Sequence, residues 1–324
     1  MNLASPHPSP GDRLHDAADA GHARAAPGSV PPRVLFLGKG RLGNQLFQWT
    51  VLQKYFPRST VWSPSLAALT AVIETGDRLR TTLAPAWLDR ISRRKLGRTV
   101  MRLLFRHFRL GGYAHEPIAW LPNGCEAPSG ELSIRGGDRR LVFVDGGYYQ
   151  NFRTTLRPAD FQTLRLRPQL KARAEAAIGA ATQGGIRPSA VLHVRRTDYL
   201  HFRPYGLPDV TLPAAYYVRA ASRLRTRLGA QAVLLIVTDD AGWCQTELAA
   251  LQPFHIMSGN EEVDFAALTL FPSIVVSNSS FSLAAACLSR DAREVIAPEY
   301  WFGARIGQWF PPQLRSADPR FVYL

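Results

Sequence analysis

The chain has 324 residues, 46% of them hydrophobic and 20% charged, enough for two ordinary domains around a real core. Its net charge of +14, nearly all from arginine, points to acidic partners such as nucleic acid, anionic lipid or a phosphorylated substrate. Three scattered cysteines, Cys125, Cys244 and Cys287, fit neither a zinc site nor a disulfide framework, and no window of 18 apolar residues exists to span a membrane.

Residues 1–32 are rich in Pro, Ala, Gly, His and Asp without periodicity and read as a disordered tail. They lack the basic-then-apolar order of a signal peptide, so the bacterial cytoplasm is the expected location. Arg33–Leu37 is a short apolar strand that runs into Gly38-Lys-Gly40-Arg41-Leu-Gly43-Asn44-Gln45. A helix follows, with Leu46, Phe47, Thr50, Val51 and Lys54 in helical register. Gly38-x-Gly40-x-x-Gly43 has the form of a dinucleotide fingerprint, but no acid stands near Val61–Ser65 to hold a ribose. What remains is a glycine loop with its backbone N–H groups and a helix N-terminus facing a cleft, or simply a tight turn.

Residues 60–90 have no decisive pattern. Residues 90–110 carry eight Arg or Lys and no acid. Leu96, Val100, Leu103, Leu104 and Phe108 share one helical face, and Arg94, Arg98, Arg102, Arg106 and Arg109 another. The pattern predicts a packed helix with a solvated cationic face; the alternative is an interfacial helix touching anionic lipid at the inner membrane. Leu141–Val144 is a second strand, followed by Asp145-Gly-Gly-Tyr148-Tyr149-Gln150. An Ala-rich helix over 168–182 and the turn cluster Gln183–Pro188 close the first half, so the domains are expected at 33–185 and 186–324.

The second half alternates strand and helix, which predicts a parallel sheet covered on both faces. Strands are expected at 190–194, 233–237, 254–257, 274–276 and 294–297, with helices near 213–228, 241–251, 262–271 and 282–289. The first strand ends in His193-Val-Arg195-Arg196-Thr-Asp198-Tyr199. Two adjacent guanidinium forks suit a diphosphate. The next ends in Asp239-Asp240, where one carboxylate is expected to accept from a base or ribose and the other to cap the following helix. A third ends in Ser277-Asn278-Ser279-Ser280-Phe281, an anion site or an ordinary N-cap. Together the three ends suit a nucleoside diphosphate. The sequence carries no phosphate loop of the GxxxxGK[ST] type, no Gly-x-Ser-x-Gly elbow and no zinc-type His cluster.

Seven segments in order, from Gly40–Trp49 (GRLGNQLFQW) through DGGYYQNF, HVRRTDY, LPAAYYVRA, VTDDAGWC and DFAALTLFPSIVVSNSSFSLAAA to APEYWF, resemble the α-1,2-fucosyltransferase family. The resemblance implies an α/β fold of the GT-B-like type, with two Rossmann-like domains facing a cleft, the acceptor on the N-terminal side and the donor on the C-terminal side. It implies an inverting transfer of L-fucose from GDP-β-L-fucose to a glycan hydroxyl, the 2-OH of galactose, with no metal and no cofactor. The donor-binding residues implied are His193, Arg195, Arg196, Asp239, Asn278, Ser279, Ser280, Phe281 and Gly43. Arg195, Asp198 and Asn44 are the catalytic candidates, with Arg195 on the β-phosphate. Asp198 and Asp145 are candidate bases, although Asp198 can instead orient an arginine.

The chain departs from the family at Arg41, where glycine is usual, and at Leu283-Ala284, where Trp is common. The expected acceptor is a galactose-terminated glycan or lipid-linked oligosaccharide of a surface polysaccharide or O-antigen. Transfer of another GDP-deoxyhexose and a non-catalytic nucleotide- or glycan-binding homologue are the alternatives. Nucleic acid is not an expected partner, because no nucleic-acid motif accompanies the charge.

Overall fold

The computed structural model describes residues 30–83, 95–120, 126–207, 209–307 and 311–324. The tail expected over 1–32 therefore lies almost wholly outside the described residues, as does the start of the 90–110 stretch. Fourteen strands are described, taken here in chain order. In the first half they are β1 (Arg33–Phe36), β2 (Val61–Trp62), β3 (Leu79–Arg80), β4 (Gly112–His115), β5 (Ile118–Trp120), β6 (Glu126–Pro128), β7 (Ser133–Arg135) and β8 (Leu141–Val144). In the second half they are β9 (Ala190–Val194), β10 (Leu234–Thr238), β11 (Phe254–Met257), β12 (Ser273–Val275), β13 (Glu294–Ala297) and β14 (Phe321–Tyr323).

Two six-stranded sheets result, beside a β5–β6 hairpin. The first runs β3-β2-β1-β8-β4-β7 and is parallel except for β7. The second runs β11-β10-β9-β12-β13-β14 and is parallel throughout. Counted within its own half, the second sheet has strand order 3-2-1-4-5-6, the doubly wound order of dinucleotide-binding folds. The fold is thus α/β and GT-B-like, with two parallel sheets whose switch points face one cleft. β9 and β10 are buried along their whole length, as strands covered on both faces must be. The short strands β2, β3, β4, β7 and β14 escape sequence reading because two to four residues carry too little periodicity.

Helix Leu42–Tyr55 is buried on most sides, its polar Gln45, Gln48 and Thr50 included. It packs on helix Ser280–Leu288, whose run of alanines lets the two backbones approach closely. One continuous core joins Leu46 and Phe47 of the first half to Phe265, Leu283 and Ala284 of the second. Leu283 and Ala284, the second family departure, are therefore core residues and do not line the cleft. Helix Pro168–Ala181 packs on helix Glu261–Leu268 and on β11, although it precedes the turn at 183–188. The expected boundary at 185/186 assigned it to the first half; apolar contacts of Leu170, Ala174 and Ile178 tie it to the second-half helices.

Candidate active site

In an open parallel sheet, ligands bind beyond the carboxyl ends of the strands where the strand order reverses. In the second sheet that point lies between β9 and β12, which carry His193–Arg196 and Ser277–Phe281 just past their ends. In the first it lies between β1 and β8, followed by Leu37–Gly43 and Asp145–Gln150. The two points open on one cleft of about 800 Å³, the size of a cofactor-class site. Of the sequence candidates, Gly43, Asn44, His193, Arg195, Asp198, Asp239, Ser279, Ser280 and Phe281 line it.

Arg195 is held from two sides. Its Nε donates to Asp198 Oδ1 at 2.8 Å, and Nη1 lies 3.2 Å from Asp239 Oδ2. Burial works against its charge, but the two carboxylates outweigh that and hold the guanidinium above its ordinary pKa. Asp198 therefore orients Arg195. Asp239, at the cleft wall, also accepts within the protein: Oδ1 from the Arg196 backbone N–H at 2.9 Å and Oδ2 from Thr197 Oγ1 at 2.6 Å. Both of its oxygens hold the arginine loop. Asp240 caps helix Ala241–Glu247 by accepting from Trp243 N at 3.1 Å, as expected.

Arg196 and Asn278 are not among the residues that line the cleft. The Arg196 guanidinium stacks 4.0 Å from the Trp243 ring centroid, and its Nε reaches Asp240 at 3.3 Å. A planar cation over an indole is well satisfied there. Asn278 is fully buried, and its Nδ2 donates to the carbonyls of Val210 at 2.6 Å and Trp301 at 3.2 Å. It ties two loops to the strand end.

His193 is buried, with Nδ1 2.7 Å from Ser277 Oγ and its ring against Phe281. Burial, reinforced by Arg195, pushes its pKa down to about 3. The folded imidazole thus stays neutral where an unfolded one, with a pKa of about 6.5, takes up a proton. Between those values the unfolded state binds more protons, so stability falls as the pH drops through that window and is fully retained above it. Glu116, raised by burial to about 7, acts in the opposite direction between its ordinary value and 7. The comparison that isolates His193 is the urea midpoint at pH 7.5 and pH 5 in wild type and His193→Gln. The wild type is expected to lose more stability on acidification; equal losses would mean that folded His193 protonates normally.

The N-termini of helices Leu42–Tyr55 and Ser280–Leu288 meet at the cleft. A Cβ added at Gly43 would lie 2.5 Å from Phe281 N and 2.6 Å from Ser280 C, so only glycine permits the approach. Gly40 has φ of +90° and makes the turn that leads into the first helix. The third glycine of the apparent fingerprint thus permits a close helix–helix contact at the cleft. Neither helix has an acid in its first turn, so both N-termini keep their positive potential. Asn44 accepts from Gln150 Nε2, and both side chains face the cleft.

Sequence reading missed several lining residues. Asp264 is half-buried, accepts from the Gly259 N–H at 3.2 Å and has its pKa raised by burial. Glu261 pairs with Arg41 across the cleft at 3.2 Å; both are exposed, so the pair adds at most about 1 kcal/mol. Tyr199, Phe202 and Phe302 form an aromatic wall, with Tyr148 opposite. Asp264 stands inside a helix and carries no local signal in the sequence; only the fold turns it toward the cleft. Asp145, a candidate base, does not line the cleft. Arg102 grips it at 2.6 and 3.0 Å, and Tyr113 Oη donates to it at 2.7 Å. Among the described residues, no group of three or more His, Cys, Asp or Glu could hold a metal ion.

The sequence model of glycosyl transferase family 11 matches residues 134–306. Over 225 residues the chain is 25% identical to mouse galactoside 2-alpha-L-fucosyltransferase Sec1, covering 68% of this chain and 54% of that protein. Over 117 residues it is 28% identical to the Escherichia coli O-antigen biosynthesis glycosyltransferase WbnK, covering 34% of this chain and 38% of that one. The chain thus spans about half the length of the mouse relative and less of the bacterial one. Among solved structures, POFUT1 in complex with GDP is similar with a TM-score of 0.48 at 11% identity, covering 83% of this chain and 99% of that one.

Proposed function

Because the chain belongs to glycosyl transferase family 11, we propose that it transfers L-fucose from GDP-β-L-fucose, with inversion, to the 2-hydroxyl of a galactose. The acceptor is a galactose-terminated glycan or lipid-linked oligosaccharide built into a surface polysaccharide of the O-antigen kind. The names of the mouse and E. coli relatives support the sugar, the linkage and the setting. The observation that carries the reading is Arg195, clamped by Asp198 and Asp239, in the cleft where two helix N-termini without first-turn acids meet.

Arg195, Arg196, Asp198, Asp239 and Asp240 sum to a net charge of −1, so bulk charge does not attract a diphosphate here. Oriented donors do. Asp198 and Asp239 take Arg195 Nε and Nη1, which leaves Nη2 for a phosphate oxygen. The positive potential of the two helix N-termini, at Asn44 and beside the Ser279 cap, supplies the rest. Asp264, with one oxygen on Gly259, has its other oxygen for the N1–H and amino group of guanine.

In the transfer, the bond from fucose C1 to the β-phosphate oxygen breaks and oxocarbenium character develops on the sugar. Negative charge grows on GDP, where Arg195 and the helix N-termini are already aimed. The acceptor oxygen closes on C1 from the opposite face, and its proton passes to water or to the departing phosphate. These groups supply the positive potential, so no divalent cation is required. The test is GDP release with GDP-fucose and a panel of galactosides in the presence of EDTA. Transfer that survives EDTA is expected. Metal-dependent transfer would overturn the cation-free mechanism, and GDP release only with another GDP-sugar would replace the donor.

A further inference from the structure

We propose that helix Lys95–Arg106, with the turn that follows it, docks on the surface of an anionic lipid bilayer. The helix was expected to bury Leu96, Val100, Leu103, Leu104 and Phe108. Of these only Leu104 packs on the first sheet, with Gly97, Met101 and Phe105, against Phe143 and Tyr113. Leu96, Val100 and Leu103, spaced i, i+4, i+7, form a stripe that faces away from the core. Leu96 is 74% exposed, Phe108 72% and Leu110 62%.

The turn extends this face. His107 N bonds to Leu103 O, Leu110 N reaches back to Leu104 O, and Arg109 between them adopts φ of +54°. That is the left-handed helix stop usually given to glycine. It sets Phe108 and Leu110 outside the core on either side of an exposed Arg109.

Charge decides the occupant. Arg106 and Arg109 are exposed beside the apolar stripe. Arg135 joins them by donating to Arg106 O at 2.6 Å, and exposed Arg139 lies on the adjoining turn at Gly136, which packs against Gly112. Exposed aliphatic and aromatic side chains ringed by arginines match a layer with an apolar interior and anionic headgroups. No helix of the described residues is long and apolar enough to cross a membrane, so the attachment is peripheral. Arg98 Nη1 reaches Gly38 O at 3.4 Å, so the helix borders the glycine loop at the cleft. On the transfer reading above, a bound bilayer lies beside the acceptor side and suits a lipid-linked acceptor; the docking itself does not depend on that reading.

The test is cosedimentation of the full chain with vesicles of phosphatidylcholine alone or mixed with phosphatidylglycerol. Binding to the mixed vesicles only, reduced by salt, is expected. Arg106→Glu and Arg109→Glu should each lower partitioning about fivefold or more. Leu103→Asn with Phe108→Asn should lower it at least about tenfold while leaving Tm and transfer to a soluble galactoside unchanged. Absence of vesicle binding, or binding that the Leu103/Phe108 variant keeps in full, overturns the proposal. So does concentration-dependent self-association that the same variant abolishes, which would give the face to a second copy of the chain.

Discussion

Arg195→Ala should lower kcat/KM for transfer from GDP-fucose by at least about 10²–10³-fold, the cost of removing one preorganised donor from a developing oxyanion. The loss should exceed that range, because the substitution also leaves Asp198 and Asp239 facing the phosphates without their cation. Arg195→Lys keeps the charge but not the planar fork that meets both carboxylates, so it should recover only part of the rate. Arg196→Met is the contrast. It removes a cation stacked at 4.0 Å on Trp243, which should cost about 1–2 kcal/mol of stability. Its effect on kcat should stay within about tenfold, since catalysis is felt only through the loop. Steady-state kinetics with thermal melts separates the two. Equal kinetic losses at both arginines would make the paired motif act as a unit; near-wild-type rates in Arg195→Ala would remove it from the chemistry.

Gly43→Ala should damage both stability and activity. In most helices Gly→Ala gains about 1 kcal/mol. Here the new Cβ meets the backbone of Ser280 and Phe281 at 2.5–2.7 Å, and no flexible side chain can give way. Helices Leu42–Tyr55 and Ser280–Leu288 must move apart, at a cost of about 1–3 kcal/mol for the overpacked contact. A shift of about 1 Å between the two helix N-termini should cost about 10²-fold in kcat/KM. Gly179→Ala is the control, since nothing lies within 4 Å of its added Cβ and it sits in helix Pro168–Ala181. It should raise stability slightly and leave the rate unchanged. Melting curves, GDP titration calorimetry and kinetics on both variants test this. A Gly43→Ala protein as stable and active as wild type would show that the two halves need not touch there.

The strand ends were legible in the sequence because parallel strands covered on both faces read as unbroken apolar runs. Ala190–Val194 and Leu234–Thr238 announce themselves that way, and the polar residues after them fall where an open sheet binds ligands. The orientation of the side chains was not legible. Arg195 and Arg196 are neighbours with the same chemistry, yet one lines the cleft and the other stacks on Trp243. Consecutive residues leaving a strand diverge, and which one meets the ligand depends on where Asp239 and Asp240 stand on the next strand. The same holds for Asn278, whose Nδ2 is taken by the carbonyls of Val210 and Trp301, distant in sequence. Asp145 reads as a base in a Gly-rich loop until Arg102, from a helix 43 residues earlier, is seen to hold it.

By itself the sequence determined the α/β class, the alternation of the second half, the helix at 42–55 and the arginine-bearing strand end, since all of these rest on local periodicity and turn chemistry. It also supplied the ordered motifs that resemble one family. Tertiary structure alone decided that the two switch points share one cleft, that Asp264 and an aromatic wall complete it, and that Gly43 is a helix–helix contact. It likewise decided which face of helix Lys95–Arg106 is left to solvent. Periodicity fixes that a helix has an apolar stripe, but only the shape of the neighbouring sheet selects the side chains that are buried against it.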